Sequence, residues 1–356
     1  MDKLDSIEEI RKIDVQNVLG SIEALAKQCL HAWDEASAVR IPPAYSEIDN
    51  IVMTGMGGTG LGARVIQSVY GNEIRYPFTR INGYDIPAFV NEKSLVICAS
   101  YSGTTEETLS NANQAIKARA KWIAIGTGGP LIDLAKRERV PYYQVLPTHN
   151  PSNQPRMAIG YNVVGVLALA AKIGVIQLSQ AEIETAAKAM TEVWVKTNPT
   201  VAVPHNPAKK LAKQMLGRII VYISAEHLVG STHTINNQLN ENAKAFSTDF
   251  QIPELNHHLL EGLKHPSTNP EHLFVIFAES SLYSEKIKLR FAITKEITMK
   301  NKIASIEISL HSETKLSQAF ELIQFGAVTN LYLSILYDQN PAPIPWVDYF
   351  KEKLKN

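Results

Sequence analysis

Short apolar segments alternate with helix-like segments along two separate stretches of this chain. In the first stretch, residues 50–54, 78–82, 94–100, 121–126 and 142–146 are predicted strands. Between them, apolar residues recur at spacings of three and four, which indicates helices. Strands that alternate with helices favour a parallel sheet covered by helices on both faces.

A Pro- and Asn-rich segment at 147–155 interrupts this pattern, and two predicted helices follow it. A second alternation then begins, with strands predicted at 218–223, 273–278 and 303–308, and helices at 229–243, 283–300 and 314–337. A length of 356 residues is typical of two domains. The sequence therefore predicts an α/β fold of two doubly wound, flavodoxin-like domains with parallel sheets, covering residues 1–178 and 179–356.

The helix predicted at 314–337 is apolar on most sides. Such a helix is buried on more than one face, so we expect it to pack between domains or subunits. The apolar stretch at 161–176 is too short and too mixed to span a bilayer.

The charge balance gives no indication of a nucleic-acid or membrane partner, since Lys+Arg and Asp+Glu number 35 each. Two cysteines, Cys29 and Cys98, make no disulfide framework, and Cys98 lies in an apolar predicted strand. The first twenty residues are charged and lack the apolar centre of a signal peptide. We expect a cytoplasmic protein.

A glycine-rich loop, Gly-Met-Gly-Gly-Thr-Gly at 55–60, lies between a predicted strand and a predicted helix. Its bare backbone N–H groups and the helix start both favour an anion. The spacing also matches the dinucleotide fingerprint, which calls for an acidic residue at the end of the next strand. Asp85 is a poor fit to that position, so the loop favours a phosphate over a dinucleotide.

A second loop, Ser-Tyr-Ser-Gly-Thr-Thr at 100–105, follows the most apolar strand and precedes a helix. Capping of that helix by Thr104 or Thr105 is one interpretation, but capping needs only one hydroxyl. Four hydroxyls at a helix start, in the same half of the chain as the glycine loop, favour phosphate binding.

Two further segments carry groups suited to proton transfer, namely 240–258, with Glu241 and His257, and 154–156, with Arg156. Their spacing leaves a solvated helix end and a catalytic role both open. Glutamate and histidine are the residue types that an aldose–ketose isomerisation needs, and an arginine stabilises a developing oxyanion.

In their order, the segments GMGGTG, SYSGTTEET, QPR, LNENAK and PELNH resemble the bifunctional phosphoglucose/phosphomannose isomerase family, which has two sugar isomerase (SIS) domains. The resemblance covers residues 50–354. It implies an isomerase that interconverts glucose 6-phosphate, and mannose 6-phosphate, with fructose 6-phosphate through an enediolate. It implies no cofactor and no metal, and a homodimer with a shared active site.

The resemblance also assigns roles to individual residues. Its phosphate-binding residues are Gly58, Thr59, Ser100, Ser102 and Thr105. Its catalytic residues are Glu241 as the base, Arg156 beside the enediolate, and His257 and Lys351 for ring opening, with His257 supplied by the neighbouring subunit.

The sequence departs from the family pattern at Ser224, at 233–238 and at His258, which leaves the substrate preference open. Two other interpretations also remain. One is a non-catalytic SIS protein that only binds a sugar phosphate, although such a protein needs neither Glu241 nor His257. The other is an NAD(P)-dependent oxidoreductase, based on the glycine loop.

Overall fold

The structure is a computed structural model that describes residues 2–354. Three helices precede the first sheet: α1 (Ile7–Ile13), α2 (Val18–Glu23) and α3 (Leu25–Ser37). The first alternation consists of β1 (Asn50–Thr54), α4 (Leu61–Tyr70), β2 (Phe78–Ile81), β3 (Ser94–Ala99), α5 (Glu106–Lys117), β4 (Lys121–Gly126), α6 (Gly129–Glu138) and β5 (Tyr142–Gln144). Helices α7 (Ile159–Ile173), α8 (Gln180–Thr197) and α9 (Pro207–Met215) link it to the second alternation.

The second alternation consists of β6 (Ile219–Ala225), α10 (Val229–Asn242), β7 (Ser247–Ile252), α11 (Leu259–Gly262), α12 (Asn269–His272), β8 (Leu273–Ser280), α13 (Glu285–Lys300), β9 (Ala304–Leu310), α14 (Lys315–Leu336) and α15 (Pro345–Leu354). The strands form two sheets, ordered β2-β1-β3-β4-β5 and β7-β6-β8-β9. Every recorded strand pair is parallel. The predicted α/β class with parallel, doubly wound sheets is confirmed.

The central strands of the first sheet form because their sequences are apolar throughout. All six residues of β3 are buried, as expected for a parallel strand covered on both faces. Cys98 on this strand is buried, as predicted, and that burial raises the pKa of its thiol to about 12.

The sequence analysis missed strand β7. It lies at the edge of the second sheet, and its sequence, Ser-Thr-Asp-Phe-Gln-Ile, contains no apolar run. Edge strands tolerate polar residues because one side of the strand has no partner. Here His233 Nδ1 and Asn236 Nδ2 contact Asp249 Oδ1 at 3.0 and 3.1 Å, which ties the strand to α10.

Helix α14 is buried on several faces, as its composition predicts. It packs against α8, α9 and α10. Gln324 Nε2 also donates to the Ile22 carbonyl of α2, and Asn330 Nδ2 to the Ile235 carbonyl of α10. It is the one described helix that is long and apolar enough to cross a membrane, and 83% of its most apolar window is buried inside the protein. Because helices of both halves meet around α14, the boundary between residues 178 and 179 stays a prediction.

Candidate active site

Two predicted phosphate loops meet at one edge of the first sheet. Strands β1 and β3 are parallel neighbours, with Thr54 opposite Cys98 near their ends. The glycine loop follows β1 and the hydroxyl loop follows β3, so the sheet places both loops side by side. Doubly wound folds bind ligands at the carboxyl edge of the sheet, at the point where the strand order reverses. In this sheet that point lies between β1 and β3.

In the hydroxyl loop, the side chains of the two serines and two threonines pair with one another. Ser100 Oγ and Thr105 Oγ1 lie 2.8 Å apart, as do Ser102 Oγ and Thr104 Oγ1. Thr105 is the N-cap residue of α5, yet its side chain makes no capping hydrogen bond. Capping therefore does not explain the cluster, and the first-turn N–H groups of α5 remain available to an anion.

Glycines allow each of these loops to lie close to a neighbouring segment of backbone. Gly103 has φ +71°, and a Cβ on it would lie 1.9 Å from the Gly128 carbonyl oxygen. A Cβ on Gly58 would lie 3.1 Å from the Cα of Arg156. The glycine loop thus lies directly against the backbone of the predicted catalytic arginine. Thr59 Oγ1 donates to the Met56 carbonyl at 2.7 Å, so its role as a phosphate donor stays a prediction.

Arg156 is buried, with 2% of its surface exposed, and it joins both halves of the chain. Its N–H groups have five acceptors: Asn242 Oδ1 (2.6 Å), Gln154 Oε1 (3.0 Å), Glu241 Oε2 (3.5 Å) and the carbonyl oxygens of Pro341 (2.7 Å) and Ala342 (2.6 Å). A guanidinium has five N–H donors, so this set uses all of them. The contact with Glu241 is the longest, so it is the one that a substrate oxygen displaces most easily.

Glu241 lies in the last turn of α10 and faces Arg156, with 29% of its side chain exposed. Burial raises the pKa of the Glu241 carboxyl, and the charges of Arg156, Lys351 and Lys244 partly offset this rise. A carboxylate with a raised pKa beside a fixed cation is suited to general base catalysis.

Helix α15 brings Lys351 close enough for its charge to lower the pKa of Glu241. Lys351 and Lys353 are both exposed, and Lys355 lies outside the described residues. Lys351 thus lies within electrostatic range of the predicted base, and its role in ring opening stays a prediction.

Lys244 belongs to the same site, although the sequence analysis gave it no role. Its Nζ donates to the carbonyl oxygens of Asn242 at 3.1 Å and Asn340 at 2.5 Å. Burial and the charge of Arg156 lower the pKa of Lys244 to about 8, against the opposing effect of Glu241. Its place in the LNENAK segment was the available signal, but the position of its ammonium group depends on residue 340, which is distant in sequence.

His257 does not reach this site within one chain. Asn240 Nδ2 donates to the Ser247 carbonyl at 3.1 Å, so the end of α10 lies beside the start of β7. His257 is exposed and lies beyond the other end of β7. A six-residue strand spans about 17–20 Å. Glu241 therefore lies at the edge where the strands of the second sheet begin, and His257 at the edge where they end.

We expect the acid limb of the kcat/KM–pH profile to move to higher pH in Lys244→Met. Glu241 must be ionised to accept a proton, so activity is lost as pH falls through its pKa. Removing the Lys244 charge removes one influence that lowers this pKa. The matched control is Lys210→Met, which changes an exposed lysine of α9. An unmoved limb, or one at lower pH, would contradict this electrostatic account.

Among residues 2–354, no group of three or more His, Cys, Asp or Glu side chains is arranged to hold a metal ion.

Known protein families and structures are similar to this chain. Residues 204–354 match the model of the bacterial phospho-glucose isomerase C-terminal SIS domain. A hypothetical protein from Thermus thermophilus has a similar structure, with a TM-score of 0.74, 17% identity, and coverage of 98% of this chain and 93% of that one. The fold and the site thus define a protein built from SIS-type domains.

The bifunctional phosphoglucose/phosphomannose isomerase of Caldicellulosiruptor bescii is 30% identical over 344 residues, which cover 94% of this chain and 98% of that protein. The Aquifex aeolicus protein of the same description is 28% identical and covers 86% of this chain and 90% of its own. The chain belongs to the bifunctional phosphoglucose/phosphomannose isomerase family.

Proposed function

We propose that this chain is a cytoplasmic isomerase that interconverts glucose 6-phosphate, and mannose 6-phosphate, with fructose 6-phosphate. The observation that carries the proposal is the position of Arg156. Its backbone lies against Gly58 of the glycine loop, and its guanidinium faces Glu241. One residue thus joins a phosphate-binding loop to a base with a raised pKa, as a sugar-phosphate isomerase requires.

The proposed reaction begins with the phosphate on the two loops of the first sheet. His257 and Lys351 assist ring opening by moving a proton to or from the ring oxygen. The Glu241 carboxylate then removes the C2 proton of the open aldose, which leaves an enediolate. Arg156 stabilises the negative oxygen while a proton passes from O2 to O1. Glu241 then returns the carbon proton to C1 to give the ketose.

The active site in this proposal is shared between two copies of the chain. Glu241 and His257 lie at opposite edges of the second sheet, so His257 can join only the Glu241 of another subunit. A twofold dimer supplies each site with one His257 from the partner, because every contact in such an interface occurs twice. Helix α15 exposes an apolar surface beside the site that a second subunit can cover. It consists of Trp346, Tyr349 and Phe350.

We expect Ser102→Ala to weaken substrate binding more than turnover. Its exposed hydroxyl contributes one hydrogen bond to a charged phosphate that does not react, which predicts a rise in KM of about tenfold. Affinity for 6-phosphogluconate, which cannot isomerise, should fall equally. Ser110→Ala, farther along α5, is the control. A loss confined to kcat would argue against a phosphate contact.

A coupled assay that detects glucose 6-phosphate formed from fructose 6-phosphate tests the proposal. Binding without turnover would support a non-catalytic sugar-phosphate protein. Stabilisation by NAD(P) but not by 6-phosphogluconate would support an oxidoreductase. Against the latter, Asp85, the only acidic candidate for a ribose contact considered above, is exposed and lies beyond the end of β2 at Ile81.

A further inference from the structure

A cavity separate from the candidate active site lies between the two sheets, at the carboxyl edge of the second sheet. It has a volume of about 880 Å³, and α4 and β2 form its wall on the first-sheet side. None of the residues assigned above to phosphate binding or catalysis lines it. Pockets for small molecules are typically about 300–1,000 Å³ and often lie between domains.

Three cations line this cavity, namely Arg64, Arg80 and Lys315. Arg64 is half-buried, and its side chain has no hydrogen bond or ion pair with another residue in the described range 2–354. Burial and the neighbouring charge of Arg80 lower the pKa of Arg64, while Asp249 partly offsets this. Arg80 Nε donates to Gln67 Oε1 at 2.7 Å, which is a neutral partner.

The carboxylates that line the cavity leave this positive charge unneutralised. Glu226 Oε1 accepts from Ser284 Oγ at 2.8 Å, so it is directed at the start of α13. Glu254 is exposed and forms no ion pair within the described residues. Arg64 and Arg80 line one cavity and form no ion pair among residues 2–354. Two such guanidinium groups are suited to a phosphate, which accepts hydrogen bonds from both.

A buried histidine in the same wall has one ring nitrogen without a partner among residues 2–354. His227 is 1% exposed, and its Nε2 lies 3.0 Å from Gln318 Oε1. Gln318 Nε2 donates to the Ser312 carbonyl, which fixes Oε1 as the acceptor and places the ring hydrogen on Nε2. Nδ1 of the neutral ring is then a buried acceptor with no partner among residues 2–354. This nitrogen has almost no exposed surface, so the ring forms part of the cavity wall and does not reach a ligand hydroxyl.

We infer that this cavity binds a phosphorylated polyol, with the phosphate on Arg64 and Arg80 and its hydroxyl groups on the polar side chains of Asn72, Gln251 and Glu254, which line the same space. Gln251, Pro253 and Glu254 also line the cavity, and the same segment continues to His257. A bound ligand therefore contacts the segment that leads to His257. The binding itself is independent of the proposed isomerase function, whereas an effect on turnover rests on it.

The test uses glucitol 6-phosphate, a hexitol phosphate that cannot isomerise, and a chain in which Ser100, Ser102 and Thr105 are replaced by Ala. With the loop site removed, calorimetry should still detect one binding site. Adding Arg64→Gln and Arg80→Gln should weaken that binding about tenfold or more. Adding Arg75→Gln instead, which changes an exposed arginine outside the cavity, should leave it unchanged.

Two further measurements keep the inference falsifiable if the double arginine variant does not fold. Lys315→Gln, at an exposed position, should weaken binding severalfold without affecting the fold. Hydrogen exchange at residues 251–258 should slow when glucitol 6-phosphate binds to the chain that carries the three alanine substitutions. Complete loss of binding in that chain would overturn the inference, as would equal binding with and without the arginines. Neither result would bear on catalysis at Glu241.

Discussion

Glu241→Gln is expected to lower kcat by about 10²–10⁴-fold, which is the typical contribution of general acid–base catalysis. Glutamine preserves the shape of the side chain and can still accept a hydrogen bond from Arg156, but it cannot take a proton from C2. Arg156 keeps its four other acceptors, so the buried guanidinium stays in position. Affinity for 6-phosphogluconate should change little, because the phosphate loops are unaltered.

The measurement pairs steady-state isomerisation with calorimetric binding of 6-phosphogluconate. Glu8→Gln, at an exposed position of α1, is the control for loss of one carboxylate elsewhere. Near-wild-type turnover in Glu241→Gln would remove Glu241 as the base. Loss of binding together with turnover would instead indicate that the carboxylate holds the site together.

Mixing two inactive variants is expected to restore activity if the site is shared. His257→Ala damages the partner's site, whereas Glu241→Gln damages the chain's own site. A hybrid dimer of the two variants contains one site with both changes and one site with neither. Random exchange of subunits should therefore recover about a quarter of the wild-type activity.

The control is each variant carried alone through the same unfolding and refolding, since neither homodimer contains an intact site. Activity of the mixture equal to the sum of the two variants would contradict the shared site. In that case His257 either has no role or reaches Glu241 within its own chain, which the length of β7 makes geometrically difficult.

Strands that are buried on both faces could be predicted, because burial requires an apolar sequence. Strands β1, β3 and β4 are nearly continuous apolar runs, because helices cover both faces of the first sheet. Strand β7 escaped prediction because an edge strand retains Ser, Thr and Asp. Missing it had a consequence for the site, since residues 240–258 looked like one segment although β7 separates Glu241 from His257.

The composition of the phosphate loops was readable from sequence because each loop supplies its groups locally. The surroundings of Arg156 were not, because two of its acceptors are the carbonyl oxygens of Pro341 and Ala342, near the other end of the chain. The same holds for Lys244, whose ammonium group is positioned by Asn340. It also holds for the inter-sheet cavity, whose arginines and histidine come from different halves. No spacing rule records such contacts.

The most direct test of the isomerase account is to incubate fructose 6-phosphate with the protein in D₂O, without added nucleotide, and to follow the products by NMR. Proton transfer through Glu241 predicts glucose 6-phosphate and mannose 6-phosphate, with deuterium at C2 in at least part of each product. Glu241→Gln should yield neither aldose. Absence of both aldoses from the wild-type reaction, or aldoses that carry no deuterium at C2, would contradict the account.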